Sequence, residues 1–371
     1  MRELDDAQKI REVDRHNMLE KIDRMPEHVV EALTDLKESP LPQDFDRVEN
    51  AILVGVGTSA IAAEVALNWL DEYAKIPMML IRDSWLPAYA DPKTLVLAIS
   101  YSGETQETLD ALVNASRRKC QVLTISSGGK MKEISERLRI RHVEVKKGFE
   151  PRTAFPFLFV PTSLVLAPLL RQMDMRRDLR EAAQSLRNLR ETIGWNVPCN
   201  SNPAKQLALN MAKTIPVVYA FRRNGGLARR MKNQLNENCK MPAVFNLLPE
   251  CCHNEFEAWR KSGEDKQEFS FTFLRPDENE EENARIDEAK KILAETGMTR
   301  VYEVSGAGET RVSRLLSIVY LTDYVTFYLS VLRSIDPTPW ERVQELKKRV
   351  LQRTRFEERL KDEMMRIQKR S

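Results

Sequence analysis

Histidine occurs only four times in the 371 residues and cysteine only five times. The cysteines (Cys120, Cys199, Cys239, Cys251 and Cys252) are odd in number and irregularly spaced, which argues against a disulfide framework and fits reduced thiols in the cytoplasm. Net charge is nearly absent as well. Lys+Arg 58 against Asp+Glu 55 leaves +3, with a pI near 8.5. That balance gives no global case for nucleic acid or a membrane surface as partner. The opening MRELDDAQKIREVDR is too charged for a signal peptide. Long hydrophobic runs are missing with one exception, residues 315–332. Asp323 with Tyr320, Tyr324 and Tyr328 mark that run as a helix buried in protein rather than in lipid.

What the chain does have is alternation. Its length suggests about two domains. Apolar runs at 51–56, 78–81, 95–99, 121–125 and 142–145 predict strands, and helical spacing predicts helices over 59–72, from 105, and over 132–138. Apolar strands without clean in-out alternation, separated by helices, imply a parallel sheet covered on both faces. Helical segments at 153–171 and 177–191 and a linker at 194–203 follow. A second series then begins, with strands at 215–221, 243–247, 269–273 and 300–304. Its helices are expected over 204–212, 227–238, 254–260, 281–295 and 310–333. The expected fold class is therefore α/β, with two parallel sheets flanked by helices. The expected divisions are a helical arm at 1–48 packed against the first domain, a first domain at 49–175, a helix and linker at 176–200, a second domain at 201–335, and a C-terminal helix at 336–371. The tail carries an apolar row, Val343, Leu346, Val350, Phe356, Leu360 and Met364, expected to pack on its own domain or on a twin subunit.

The stretch 98–108, AISYSGETQET, stands where a buried strand meets a helix, and it places Ser100, Ser102 and Thr105 around the helix N-terminus. Free backbone N–H groups there carry partial positive charge, so a phosphate can be held without a lysine. Gly103 lets the backbone pass close to such an anion. The plainer alternative is an ordinary Ser/Thr cap, with Glu104 and Glu107 favouring the first turn. A second turn, GVGTS at 55–59, ends another strand. It resembles a dinucleotide fingerprint only superficially: the third glycine is missing and Asp83 is the only acid near a ribose-binding position. Two turns converging on one small anion is the better geometry. The second half has no counterpart of the SxSGxT turn.

Several motifs, in order, carry a resemblance. GVGTS at 55–59, SYSGETQET at 100–108, GFEPRTAFPF at 148–157, NPAKQLAL at 202–209, QLNENCKMPA at 234–243, PECCHNE at 249–255 and DPTPWERVQELKKR at 336–349 resemble the bifunctional phosphoglucose/phosphomannose isomerases, two-domain SIS (sugar isomerase) proteins. The likeness spans roughly residues 15–350. It implies two tandem SIS domains and a cofactor-free, metal-free interconversion of aldose and ketose 6-phosphates through an enediol. In the roles the resemblance implies, Glu237 is the base, His253 opens the sugar ring, and Arg152 faces the enediolate. Gly57, Thr58, Ser59, Ser100, Ser102 and Thr105 hold the substrate, and Thr338 and Lys347 close the site. It further implies a homodimer with composite sites, because the family's histidine reaches in from the second subunit. Family chains read GMGGSGIGG at the first turn, whereas Thr58, Ala60, Ala62 and Ala63 replace glycines here.

Each assignment has a plain alternative. Glu237 reads as a solvated helix glutamate, His253 as a helix cap and Arg152 as half of a surface ion pair. Cys251, Cys252 and His253 are contiguous and can hardly surround one tetrahedral ion, so no metal is expected. A non-catalytic sugar-phosphate sensor is the alternative function, disfavoured because Glu237, Arg152 and His253 are all present and no helix-turn-helix precedes the first domain.

Overall fold

The apolar runs become parallel strands because each is flanked by helices that cover both faces of its sheet. The structure is a computed structural model and describes residues 2–38, 45, 47–259 and 268–368. Its strands are β1 (Asn50–Val54), β2 (Met78–Ile81), β3 (Thr94–Ile99), β4 (Gln121–Ser126), β5 (Arg141–Glu144), β6 (Ile215–Phe221), β7 (Val244–Leu248), β8 (Phe269–Arg275) and β9 (Val301–Ser305). The first helices are α1 (Ala7–Val13), α2 (Met18–Asp23), α3 (Met25–Glu38), α4 (Thr58–Leu70), α5 (Gln106–Arg117), α6 (Gly129–Leu138) and α7 (Phe155–Val165). Then come α8 (Met175–Ile193), α9 (Pro203–Met211), α10 (Gly225–Glu237), α11 (Glu280–Glu295), α12 (Arg311–Leu332), α13 (Glu341–Thr354) and α14 (Phe356–Gln368).

The chain divides into two units. One combines Glu31–Met175 with Trp340–Ser371, and the other Met1–Val30 with Arg176–Pro339. The first holds a five-stranded sheet in the order β2-β1-β3-β4-β5 with every pair parallel. All six residues of β3 are buried, which is why its sequence shows no alternation. The second holds a four-stranded sheet in the order β7-β6-β8-β9, again all parallel. Two tandem α/β layers are thus as the sequence predicts.

Helix α12 is the core of the second-sheet unit and, among the described residues, the single helix long and apolar enough to cross a membrane. It is buried in protein. Arg230 of α10 donates to both oxygens of Asp323, at 3.1 and 2.6 Å, and Gln234 donates to Asp323 at 3.1 Å. Breaking such a buried bidentate pair from one side costs about 3–5 kcal/mol, so α10 is firmly fixed on α12.

Four expectations are revised. The N-terminal arm is divided: α1 and α2 pack on α12, where the buried Tyr320 hydroxyl donates to the Asp23 carbonyl at 2.7 Å, while residues from Glu31 onward belong with the first sheet. The stretch expected as a linker is sewn onto the second-sheet unit. The ammonium of Lys205 donates to the carbonyls of Trp195 and Val197, both at 2.8 Å, and Asn202 donates to the Gly194 carbonyl at 3.0 Å. Residues 254–259 form no helix. Two 3-10 turns, Glu250–His253 and Glu255–Ala258, are separated by Asn254 at φ −152°, and Arg260 lies outside the described residues. The tail is two helices, broken at Arg355 in a left-handed conformation, φ 44°. Phe356, Leu360 and Met364 are buried with Leu109, Leu112 and Met131 of the first-sheet unit, whereas Val343, Leu346 and Val350 of α13 are exposed.

Candidate functional site

Strands β1 and β3 are neighbours, so the turns at their carboxyl ends meet. Gly57, at φ 59°, bends the chain sharply into α4, a conformation that favours glycine. The backbone N–H of Tyr101 donates to Ser59 Oγ at 3.1 Å, which ties the two turns together. Ser100 is buried, and its hydroxyl donates to Thr105 Oγ1 at 2.9 Å. No side chain caps α5, so the ordinary cap is not what these hydroxyls make. The first N–H groups of α5 are left to an external acceptor or to water. Glu107 in the first turn of α5 is exposed, and Glu104 is turned onto another helix. It accepts from the Lys130 backbone at 2.9 Å and pairs with the Lys130 ammonium at 3.1 Å, at the start of α6.

Gly103 sits at φ 68°, and a Cβ there would lie 1.9 Å from the Gly128 carbonyl oxygen. A third turn, SSGG at 126–129 after β4, is therefore pressed against the SYSGET turn. The Ser127 hydroxyl and N–H both donate to the Tyr101 carbonyl, at 2.7 and 2.9 Å. The Tyr101 hydroxyl donates to the Lys146 carbonyl at 3.1 Å and accepts from the Phe149 N–H at 3.0 Å. Burial pushes the Tyr101 hydroxyl's pKa up, so it stays a donor. Tyr101 thus holds together the turns after β1, β3 and β4 and the loop that leads to Arg152. Sequence reasoning missed it and SSGG. The signal was present, since hydroxyls and glycines directly follow the apolar run 121–125, as they do after 94–99.

Of the positions where family glycines are replaced, Ala60, Ala62 and Ala63 are fully buried along α4. Thr58, the first residue of α4, is half-buried and Ser102 is exposed. Arg152 lies in a turn ahead of α7, where Thr153 and Ala154 N–H groups donate to the Glu150 carbonyl at 3.0 and 3.1 Å. Only 1 % of Arg152 is exposed, so it is no surface ion pair. Lys347 is exposed on α13, its ammonium 5.1 Å from the centre of the Trp340 ring.

In the second-sheet unit, Glu237 is the last residue of α10 and half-buried. Its helix end is anchored beyond the Arg230–Asp323 pair: Asn238 donates to Thr326 Oγ1 at 3.0 Å and Arg333 to the Cys239 carbonyl at 3.0 Å. The Lys240 ammonium donates to the Glu237 carbonyl and also to the carbonyls of Pro337 at 3.4 Å and Pro339 at 2.6 Å. That one cation brings Glu237 together with the loop of Thr338, whose N–H donates to Asp336 at 3.0 Å. His253 is placed elsewhere, exposed at the end of the 3-10 turn after β7, and its ring makes no hydrogen bond among the described residues. It is not a helix cap. Glu255 fixes that segment, accepting from the Tyr219 hydroxyl at 2.6 Å and from Asn246. Among the described residues no three His, Cys, Asp or Glu side chains group as metal ligands.

The turn topologically equivalent to SYSGET follows β8, and it is acidic. Asp277 pairs with Arg311 and accepts from Asn224 at 3.4 Å, and Arg223 pairs with Glu282 at 2.8 Å. Asn279 and Glu282 form a capping box on α11. Burial raises Glu278 to a pKa of about 7.

Two family models match: the SIS domain over residues 45–137 and the bacterial phospho-glucose isomerase C-terminal SIS domain over residues 200–350. A bifunctional phosphoglucose/phosphomannose isomerase from Caldicellulosiruptor bescii is 31% identical over 334 residues, covering 90% of this chain and 98% of that one. A D-glucosamine-6-phosphate 4-epimerase from Sulfolobus acidocaldarius is 30% identical over 272 residues, 71% of this chain and 82% of that one. Among solved structures, a hypothetical protein from Thermus thermophilus matches with a TM-score of 0.68 at 19% identity, covering 94% of this chain and 93% of that one.

Proposed function

The chain belongs to the bifunctional phosphoglucose/phosphomannose isomerase family, and from that premise we propose that it interconverts glucose 6-phosphate and mannose 6-phosphate with fructose 6-phosphate. The observation that carries the reading within the molecule is the uncapped N-terminus of α5, ringed by the hydroxyls of Ser100, Ser102 and Thr105 and walled by glycines. Such a turn suits a phosphate dianion.

In this mechanism the phosphate rests on the Ser100–Thr105 turn, with Gly57, Thr58 and Ser59 beside it, and His253 assists ring opening by moving a proton between the ring oxygen and O1. Glu237 then takes the proton from C2 of the open aldose and returns it to C1. The C1 carbonyl becomes a hydroxyl and the C2 hydroxyl a carbonyl. Arg152 stabilises the negative charge that develops on the enediolate oxygens. Thr338, a small side chain, leaves room for either C2 epimer, and Lys347 closes the site. No cofactor or metal takes part. We place the working enzyme in the cytoplasm as a homodimer with composite sites, supported by the five unbridged cysteines and by the family's shared histidine.

The test is a coupled assay of both aldose phosphates on metal-stripped protein, alongside Glu237→Gln. Conversion of both sugars, abolished by that substitution, is the expected result. A ligand-induced melting shift with no turnover would favour the sensor. Epimerisation of an amino-sugar phosphate in its place would move the chain's activity to that of the Sulfolobus relative.

A further inference from the structure

The loop that carries Thr338, residues 334–339, runs between α12 and α13. Pro337 and Pro339 flank Thr338 and have no N–H, so the Thr338 N–H is the single backbone donor of that tripeptide. It donates to Asp336 Oδ1 at 3.0 Å. The other carboxylate oxygen, Oδ2, lies 2.7 Å from Nδ1 of His16, a residue 320 positions earlier in the chain. A carboxylate only accepts, so Nδ1 carries the hydrogen. A second tie joins the same two segments, from the Lys9 ammonium to the Ser334 hydroxyl at 2.9 Å. We propose that His16 is a positioning residue for Thr338. By orienting the Asp336 carboxylate that holds the Thr338 backbone, it sets the choice between C2 epimers. The inference deepens the isomerisation proposed above and rests on the place given there to Thr338.

His16 is well placed for this because its own backbone is held. It lies in the link between α1 and α2, and Asp14 at the start of that link is buried. The two Asp14 oxygens accept from the N–H groups of Met18 and Leu19, both at 2.8 Å, so a carboxylate opens α2. The Arg15 N–H donates to the Val13 carbonyl at 3.1 Å. Helices α1 and α2 both pack on α12, the helix that runs into the loop.

The loop's anchors divide by chemistry. Lys240 takes the carbonyls of Pro337 and Pro339, at 3.4 and 2.6 Å, and Asp336 takes the one N–H between them. A segment with no ladder or helix of its own depends on such side-chain ties for a single conformation. Asp336 is the adjustable one, since a carboxylate held by one oxygen alone can still turn about its Cβ–Cγ bond. The His16 contact at the second oxygen removes that freedom. The His16 side chain is 53% exposed and that of Asp336 15%, and pairs so open to water contribute little to global stability. What His16 governs is therefore local geometry at Thr338, which epimer selectivity reads and a melting temperature does not.

The experiment measures kcat/KM for glucose 6-phosphate and mannose 6-phosphate on the full chain and its variants, together with amide hydrogen exchange of the peptide spanning 334–340. His16→Ala should change the mannose-to-glucose ratio by about threefold or more, leave the melting temperature within about 2 °C, and speed exchange at Thr338 about fivefold. His16→Asn, whose side-chain amide donates from the place of Nδ1, should restore the ratio. Asp336→Ala should shift the ratio at least as far, and His16→Ala added to it should change nothing further, because the two act through one contact. A His16→Ala protein with the parent's ratio overturns the proposal, whether both activities stay constant or fall alike, since a merely structural tie behaves so. Independent, additive shifts from His16 and Asp336 overturn it too. Parent protein that converts neither sugar rejects the isomerase reading and the selectivity role with it, and the exchange rate then still reports whether His16 holds the Thr338 N–H.

Discussion

Two turns occupy the same place in the two sheets and have opposite chemistry. After β3 the chain reads SYSGET, and the helix it opens has no side-chain cap. After β8 it reads PDENEE, and Asn279 and Glu282 cap α11 while Asp277 draws in Arg311. Strand order and crossover are shared, so topology alone does not make an anion site. What differs is whether the unit caps that helix N-terminus with its own side chain. The second unit does, and it carries the candidate base Glu237. The first unit leaves the start of α5 without a side-chain cap.

The largest expected effect tests this division of labour. Glu237→Gln should lower kcat by about 10³-fold while leaving KM within a small factor, since loss of a general base acts on the transition state. Steady-state kinetics that show a KM effect alone would assign Glu237 to binding. Next, Thr105→Asp makes the first turn resemble the second by placing a carboxylate where the phosphate would sit. KM for fructose 6-phosphate should rise about 30- to 100-fold with kcat little changed, corresponding to roughly 2–3 kcal/mol of charge-assisted contacts. An unchanged KM would remove the phosphate from this turn.

Gly103→Ala probes the wall between the turns after β3 and β4. A Cβ 1.9 Å from the Gly128 carbonyl at a positive φ should cost about 2 kcal/mol and lower the melting temperature by several degrees. The same change at Gly297, in the second unit, has φ 87° without a role in the site, and should leave substrate affinity untouched. Thr338→Gln should shift the mannose-to-glucose activity ratio by about tenfold. A constant ratio would rule Thr338 out of epimer choice.

The smallest effect lies in the acidic turn itself. Glu278 is raised in the folded protein to about 7, above its ordinary carboxylate value, so the fold holds its proton more tightly than the unfolded chain does. Its contribution is fully present below pH ~4.5 and is lost as pH rises through 7. Glu278→Gln should therefore flatten the decline of melting temperature between pH 5 and 8, with the gain over the parent largest at pH 8. Parallel curves for the two proteins would show that Glu278 is solvated.

Most of the fold is legible because most of the parallel strands are apolar runs of four to seven residues, and each of the nine among the described residues lies within two residues of its expected bounds, even β5, which reads RHVE and is largely exposed. What failed was local. No glycine or proline marks Arg355, so the break in the tail was invisible. NEFEAW contains good helix formers, yet Glu255 is held by Tyr219 and Asn246, contacts distant in sequence, and the segment stays in 3-10 turns. In the site, SYSGET was legible from its hydroxyls, but Tyr101 was not. A tyrosine between two serines looks incidental until its backbone and hydroxyl are seen holding three other segments.

The Lys240 ammonium bridges the last carbonyl of α10 and two proline carbonyls, and this has a bearing on how far the molecule tolerates editing. Acetylation there, or shortening of the DPTP loop, would loosen a clasp rather than delete a contact with sugar. Damage would reach Glu237, the proposed base, secondhand, through the backbone carbonyls that Lys240 holds.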